Sequence, residues 1–542
     1  MFQHLLQGCL SVTTKKIRVE NQKGVVSSTF ETFLNGAINP GCRPFRVLFI
    51  KPWQASRYNV TGPPLGILYL ISVLRKRFGD AVTIDFWDMQ VYRQSVDSVD
   101  AVTRRLEQSR PDVVAVSALN QEAACSYRLA QLVKAHDPSI ITAIGGPFAL
   151  RQANVIMKES CFDWVFEGAA DRTFTVALER YFSGLPLGQD LPGFSYRSGD
   201  TVHMGSGQDL ITDLDAIPLP AWDLIDFERY RWRDRPRLIT NPYETRYAFL
   251  FTSRGCPYLC NYCHDIFTKR FVYRSEDNVI AEMRMLYDDY GVREFHIIDD
   301  IFNLHKPRAK ALMRRIATEF DDILIAFPNG LRADILDKEL IDLMVKAGTY
   351  NVGIAIETVT PRLQEKIEKF LDVEKANWAI TEFARQGCIV NGFFMLGFPG
   401  ETVEELRSTI GFAHKSALTH AFFFSVVPQP QTPIYDLAMQ EAPDLTEMLA
   451  RHERGQMYTG GYSWYSHVYG FDLEREISLA GLRFYLKPSR LLRALQVYPM
   501  ALLVPAGFNV FRRFGQALWE GAKNSLRGWR ARGTGDKDIK LP

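Results

Sequence analysis

Arg254-Gly255-Cys256-Pro257-Tyr258-Leu259-Cys260-Asn261-Tyr262-Cys263-His264 directly follows an apolar run, Tyr247-Ala248-Phe249-Leu250-Phe251-Thr252. The run reads as a buried strand, and the cysteines behind it stand at C-x3-C-x2-C spacing. Thiolates are the soft ligands that iron–sulfur clusters take, and close cysteines on one loop can each reach a different iron. Three ligands on a four-iron cube leave one iron open to a substrate or cofactor. A closed zinc site takes four protein ligands, and His264, adjacent to Cys263, is poorly placed as the fourth. A disulfide would leave one thiol over and join cysteines too near in sequence for easy geometry. The spacing therefore favours an iron–sulfur cluster over zinc.

Downstream, strand and helix patterns alternate. A helix over Ser275–Tyr290 precedes a strand over Glu294–Asp299, and a helix over Lys306–Phe320 precedes Ile323–Phe327. Helices over Lys338–Ala347, Val373–Gln386 and Val403–Lys415 alternate with strands over Asn351–Glu357, Ile389–Leu396 and Ala421–Val427. Six strand–helix units predict an incomplete barrel, whose chemistry belongs at the carboxyl ends of its strands. The cysteine loop occupies the first of those ends. Asp299 and Asp300 end the second strand, Arg332 follows the third, Glu357 ends the fourth, and Gly397-Phe398-Pro399-Gly400-Glu401-Thr402 follows the fifth. A carboxylate such as Glu357 can accept from an ammonium or from hydroxyls, and an arginine such as Arg332 can fork a carboxylate; internal ion pairs are the alternative for both. Thr402 also suits a helix N-cap.

Upstream, a first alternating series runs from the strand Phe45–Ile50 to a helix over Arg172–Phe182. Strands alternating with helices at this spacing predict a parallel sheet covered on both faces, with ligands at the carboxyl ends. No G-x-G-x-x-G follows the first strand, so a dinucleotide fold has no support. Ser117-Ala118-Leu119 follows the third strand and Gly145-Gly146-Pro147 the fourth. A small hydroxyl residue and two glycines leave room for a buried heterocycle, although Gly145-Gly146 also reads as a tight turn. Pro63-Pro64-Leu65-Gly66 opens the first helix and equally suits a proline-rich helix start.

The cysteine triplet, with aromatic Tyr262 before its last member, resembles the signature of the radical S-adenosylmethionine (radical SAM) enzymes. The G-F-P-G-E-T run and Pro428-x-Pro430-x-Thr432-Pro433-x-Tyr435 resemble elements of those members that carry a cobalamin domain. The Ser117/Leu119 and Gly145/Gly146 elements resemble the S-x-L and G-G motifs of cobalamin-binding domains. The resemblance implies an α/β chain: an N-terminal doubly wound, flavodoxin-like cobalamin-binding domain, a partial (β/α)6 radical SAM barrel and a mostly helical C-terminal region. The expected boundaries are 1–44 for a leader, 45–185 for the cobalamin-binding-like domain, 186–245 for a linker or strap containing a short hairpin, 246–440 for the barrel and 441–542 for the C-terminal region.

The same resemblance implies that Cys256, Cys260 and Cys263 hold a 4Fe–4S cluster. SAM would lie against Tyr262, Arg332, Glu357 and Gly397, and cobalamin against Pro64, Gly66, Gln90, Ser117, Leu119, Gly145 and Gly146. One departure stands out. Many cobalamin domains supply a histidine to cobalt from D-x-H-x-x-G, whereas Asp88-Met89-Gln90-Val91-Tyr92-Arg93 has glutamine in place of the imidazole and arginine in place of the glycine. Cobalamin would then lack a histidine below, or the domain has kept its fold and lost the cofactor. One electron would cleave SAM to methionine and a 5′-deoxyadenosyl radical, with an external flavodoxin- or ferredoxin-type donor. The first reading is methyl transfer to an unactivated carbon of an apolar or secondary-metabolite-like small molecule. Oxidative cyclisation or rearrangement of a tetrapyrrole- or lipid-like substrate is the alternative, and a non-catalytic B12/iron–sulfur sensor is the alternative of another class. No catalytic side chain is assigned.

With 542 residues the chain is long enough for two or three domains, and a net charge of +2 gives no case for nucleic acid as a partner. Eight cysteines, five of them scattered, do not form a secreted disulfide framework, so a reducing cytoplasm is expected. The first residues show no basic head before an apolar stretch, so no secretory signal is expected, and no run of about 20 apolar residues predicts a membrane span. Aromatic and glycine-containing stretches, Met457–Tyr465 and Tyr469–Phe471, suit closure of the barrel's open side over a substrate, or ordinary packing. Residues 487–542 hold eleven Lys and Arg against three acids, interleaved with Leu, Phe and Trp. That pattern suits peripheral contact with an anionic membrane at its inner face, or a basic solvated helix end.

Overall fold

The computed structural model describes residues 28–53, 62–92, 98–230, 246–263, 266–429, 432–442 and 463–497. Fifteen strands among these residues form two large sheets and one small ribbon.

The first sheet contains β1 (Phe45–Lys51), β2 (Val82–Asp88), β3 (Val113–Ser117), β4 (Ile141–Gly145), β5 (Trp164–Phe166), β6 (Phe194–Ser198) and β7 (Thr201–His203), in the order β2-β1-β3-β4-β5-β6-β7. The first five are parallel in the 2-1-3-4-5 order of flavodoxin-like sheets. Six of the seven residues of β1 are buried, which is why its sequence is a continuous apolar run rather than an alternation. The hairpin expected in the linker exists, and it extends this sheet antiparallel at the β5 edge.

The second sheet is built from β8 (Tyr247–Leu250), β11 (Glu294–Ile297), β12 (Leu324–Leu331), β13 (Thr349–Glu357), β14 (Ile389–Leu396) and β15 (His420–Ser425), all parallel and each paired with the next. It is the six-stranded incomplete barrel. Between β8 and β11, the short strands β9 (Ser253–Arg254) and β10 (Val272–Tyr273) pair antiparallel and pinch the cysteine loop at its base. The expected strand Ile323–Phe327 runs on to Leu331, because a register shift against β13 absorbs Pro328. Helices over Glu276–Tyr290, Lys338–Lys346, Val373–Arg385 and Val403–Lys415 start on side-chain caps from Ser275, Asp337, Asp372 and Thr402.

The helix Leu65–Phe78 joins the two sheets. Ile67, Ile71 and Leu74 pack on the first sheet, while Leu65, Leu68 and Tyr69 join the core of the barrel. The segment after β7 stitches across the same boundary. Trp222 Nε1 donates to the buried Glu282 at 2.9 Å, and the Tyr230 hydroxyl donates to Asp88 at the end of β2. At the far end, Lys487 donates to the His414 carbonyl at 2.8 Å and Arg493 to that of Ala384 at 2.7 Å. These cations of the expected basic tail serve the carboxyl ends of two barrel helices, where positive charge is favoured. The remainder of the tail, 498–542, lies outside the described residues. No helix among the described residues is long and apolar enough to cross a membrane.

Candidate functional site

The cysteine loop is held at its polar points. Gly255, at φ +83°, passes so close to Thr268 and Arg270 that a Cβ there would meet the Arg270 carbonyl at 2.2 Å, so only glycine makes the turn. Its N–H donates to Asp300 at 3.0 Å, Lys269 donates to the Tyr258 carbonyl at 2.7 Å, and Asn261 donates from its backbone to Ile367 and from its side chain to Lys366. None of Cys256, Cys260 and Cys263 is in a disulfide, and Cys263 is exposed. Among the described residues no three metal-ligating side chains converge on a single-ion site. Thiolates on a cluster each take a separate iron and need no such convergence. Three thiols outside any disulfide, on a loop braced at Gly255, Tyr258 and Asn261, fit a cubane with one open corner.

Next to the loop, the Tyr262 ring packs with Leu363, Ile367, Phe398, Val426 and Ile434. Burial, and then the nearby Glu357 carboxylate, push its phenol well above the ordinary range. Glu357 closes β13 at φ +65°, a left-handed conformation costly for a residue with a Cβ. Its carboxylate receives Lys369 Nζ at 3.0 Å, and the Tyr262 hydroxyl lies 3.4 Å away. Lys369 is itself flanked by two left-handed residues, Glu368 at +53° and Phe370 at +51°, so the backbone is bent twice to drive one buried ammonium into the site. Sequence reading missed Lys369, which looks like one more charge on the polar face of a short helix. Arg332 is committed to an internal partner, donating to Asp334 from Nε at 2.9 Å and from Nη2 at 3.1 Å. Its guanidinium also lies 3.9 Å from the centroid of the Tyr258 ring, so it braces the cysteine loop.

Gly397 turns at φ +88°, and a Cβ there would meet Leu473 at 2.6 Å and Tyr465 at 3.0 Å. The Gly397 and Phe398 N–H groups both donate to Glu401, at 2.5 and 3.0 Å. Burial raises that carboxyl to about 7. Thr402 caps the following helix in a reciprocal box with Glu405, so the bland reading of the G-F-P-G-E-T run holds alongside any ligand role.

In the first sheet, the loops after β3 and β4 lie together. Ala118 donates to the Gly145 carbonyl at 3.1 Å and Phe148 to that of Ala118 at 3.0 Å. Gly146 sits at φ +87°, and a Cβ would meet the Ala118 carbonyl and Ser117 Oγ, both at 2.9 Å, so its glycine is required by the turn itself. At Gly66 a Cβ would meet nothing within 4 Å, so the protein's own packing does not demand glycine there. Pro64 precedes the helix as its N-cap. Gln90, buried, donates Nε2 to Glu122 at 3.0 Å, and Glu122 in turn holds Lys51 in a buried ion pair and accepts from the Leu119 N–H at 2.8 Å. Lys51 ends β1, Gln90 follows β2 and Glu122 follows β3, so three strand ends share one charged network. Of these, sequence reading singled out only Gln90. Small residues at the loop turns, open space at Gly66 and polar side chains beneath fit a broad flat cofactor at this edge.

The two sites are tied together. Arg254, which opens the cysteine loop, donates to Asp171 of the first domain at 2.8 Å, and both side chains are buried.

Of the expected closing aromatics, 457–462 lie outside the described residues. Trp464 and Tyr465 are buried against Leu396, Leu406 and Leu473 on the outer side of β14, where Tyr465 donates to the Glu401 carbonyl at 2.6 Å. They serve packing.

Comparison with known proteins finds the B12 binding domain family over residues 55–178 and the Radical SAM superfamily over residues 250–413. An uncharacterized methyltransferase of Pyrococcus horikoshii is 28% identical over 453 residues, covering 82% of this chain and 94% of that protein. The cytidylyl-2-hydroxyethylphosphonate methyltransferase of Streptomyces wedmorensis is 29% identical, covering 67% of this chain and 76% of that protein. The radical SAM methyltransferase TsrM of Kitasatospora setae, solved with cobalamin and a 4Fe–4S cluster, superposes with a TM-score of 0.61 at 17% identity, over 74% of this chain and 78% of its own. That likeness establishes a shared fold. The cysteine triplet at the mouth of a six-stranded half-barrel, behind a 2-1-3-4-5 sheet, agrees with both matches: the chain carries a B12-binding domain followed by a radical SAM domain.

Proposed function

We propose that the protein is a radical SAM methyltransferase of the B12-dependent type, transferring a methyl group to an unactivated carbon of a small molecule. The observation that carries this is the three cysteines, none in a disulfide, on a braced loop joined through Arg254 and Asp171 to the B12-binding domain. When bound, a cluster on Cys256, Cys260 and Cys263, with SAM and cobalamin, supplies one-electron and methyl-transfer chemistry that no side chain can perform. The chain's own residues bind, orient and exclude water. The Lys369–Glu357 pair offers an ammonium to a carboxylate and a carboxylate to hydroxyls or an ammonium, which are the charged groups of SAM. Tyr262 and Gly397 supply an apolar wall and a close backbone approach beside them. Gln90, tethered by Glu122 and Lys51, stands where related domains place a histidine. Pro64, Gly66, Ser117, Leu119, Gly145 and Gly146 border the same edge.

Oxidative cyclisation has less support, since the two methyltransferases share 28% and 29% identity with this chain, whereas the anaerobic magnesium-protoporphyrin IX monomethyl ester cyclases of Rubrivivax gelatinosus and Cereibacter sphaeroides share 23% and 22%. A flavodoxin- or ferredoxin-type protein is the proposed electron donor, and the reducing cytoplasm the proposed compartment. Peripheral membrane contact would fall to residues 498–542. The test is anaerobic purification and reconstitution with iron, sulfide and hydroxocobalamin, followed by incubation with methyl-labelled SAM and a reductant. Release of 5′-deoxyadenosine supports the reading, and its complete absence from a protein with full iron and corrinoid content sinks it. Label carried into product separates methyl transfer from cyclisation.

A further inference from the structure

The interior face of the last two barrel strands is aromatic in a way the core does not use. On β14, Phe394 and Leu396 face the outer helices, where Phe394 meets Phe412 and Leu396 is buried with Leu406 and Ile410. On β15, Phe423 stacks on Phe394 at 5.4 Å and shares that outer side. Strand alternation then turns Phe393, Phe422 and Phe424 into the barrel. These three belong to none of the hydrophobic core clusters among the described residues. They touch chiefly one another: Phe393 lies 5.7 Å from Phe422 and 6.4 Å from Phe424, and the Phe422 and Phe424 rings are within 11° of parallel.

The surroundings are shaped to match. Across from Phe393, β13 carries Ala355, and one inward position earlier Gly353, where a Cβ would meet the Phe393 ring at 2.7 Å, so the neighbouring strand gives its space to the ring. Phe424 remains 44% exposed, a large apolar surface that joins none of the core clusters formed by the described residues. The inward positions of β14 and β15 carry no acid, lysine or arginine. At the foot of the face, burial pushes the His420 imidazole down to about 3, so it too is neutral. The stripe is continuous with the site described above, because Met395, one step along β14, packs in the cluster that contains Tyr262.

We propose that this face receives the substrate, and that the substrate's docked part is a flat, uncharged aromatic or polycyclic carbon skeleton. Aromatic rings pair with other rings in offset or edge-to-face contact, and a phosphonate or nucleotide is held by charge-assisted bonds from cations, which the inward positions of β14 and β15 lack. Substrate choice in this chain therefore differs from that of its phosphonate-methylating relative, although the two share a fold. The assignment rests on the reading of the barrel as the SAM-dependent site.

The test measures binding without turnover. The full-length protein, reconstituted anaerobically, is titrated with 2-naphthol as a neutral planar probe and, in competition, with 2-hydroxyethylphosphonate. Saturable naphthol binding is expected, weakened about tenfold or more by Phe424→Ala and by Phe422→Leu. Leu185→Ala, an equally exposed apolar residue on the first domain, should leave it unchanged. Because Phe424 is already part exposed, its truncation removes the ring with little effect on folding, which a thermal melt verifies. A wild-type protein that cleaves SAM yet binds 2-naphthol no better than Phe424→Ala overturns the assignment and leaves the functional reading standing; so does phosphonate that displaces the probe. Ring-dependent binding in a protein that never cleaves SAM supports the aromatic face while the functional reading falls.

Discussion

The two cofactor edges of this protein solve the same problem by different means. Both lie at the carboxyl ends of parallel strands. In the first sheet the edge is built from buried charge, with Lys51, Gln90 and Glu122 converging from three strands on residues that keep negative φ. In the barrel it is built from strained backbone: Glu357, Glu368 and Phe370 are three of the five non-glycine residues with left-handed φ among the described residues. The difference follows from what each edge would hold. A broad corrin is gripped by shape and by the polarity beneath it. A small, flexible SAM must be pinned within fractions of an ångström, and strain held in place by surrounding packing is one way to pre-set such geometry.

The comparison breaks most visibly if the edges are not independent in loading. Cys256→Ala should reduce iron to background and abolish 5′-deoxyadenosine formation while corrinoid content stays at the wild-type level. Loss of both together would show one composite site. Next in size, Lys51→Met leaves Glu122 buried without its counter-charge and should cost about 3–5 kcal/mol of stability, whereas Lys51→Met with Glu122→Gln should recover most of it. Chemical denaturation of wild type, single variant and double variant measures this, and equal stability of wild type and single variant would remove the buried-charge half of the contrast.

A smaller effect sharpens the barrel side. Glu401 ionises near 7 when folded against an ordinary value of 4.5, so the folded state holds the proton more tightly than the unfolded chain. Its contribution is fully present below about 4.5 and is lost as pH rises through about 7, by no more than roughly 3 kcal/mol. Glu401→Gln should flatten that fall, read as the difference in melting temperature from wild type between pH 5 and pH 8; parallel curves would refute it. Smallest of all, Phe370→Gly should relieve a left-handed residue and leave stability unchanged or raised by about 1 kcal/mol. Clear destabilisation would mean that the exposed ring, not the backbone, is what holds Lys369 in place.

Much of this was legible in the sequence, for identifiable reasons. Strand order, the six barrel units and the polar residues at strand ends all follow from local periodicity, which a linear chain displays. What was hidden depends on contacts between distant segments. Lys51 and Glu122 are 71 residues apart and meet only because β1 and β3 are neighbours. Lys369 is betrayed by nothing local, since a lysine between Glu368 and Phe370 looks solvated. Trp464 and Tyr465 looked like a lid because aromatic content was visible and orientation was not. Phe393, Phe422 and Phe424 were read only as strand formers, because the face a strand residue occupies depends on which side its neighbours bury. Arg332 had two readings, a ligand contact or an internal ion pair, and its pairing with Asp334 two residues on could not be told from the sequence.

The buried bond between Arg254 and Asp171 spans 83 residues, and the acid is synthesised first. Domains emerging from the ribosome fold in order of synthesis. Maturation of the enzyme therefore has a direction: the anchor for the iron-bearing loop is already set before that loop leaves the exit tunnel, and a chain whose first domain failed to form would offer the cell's cluster-assembly machinery an unmoored recipient.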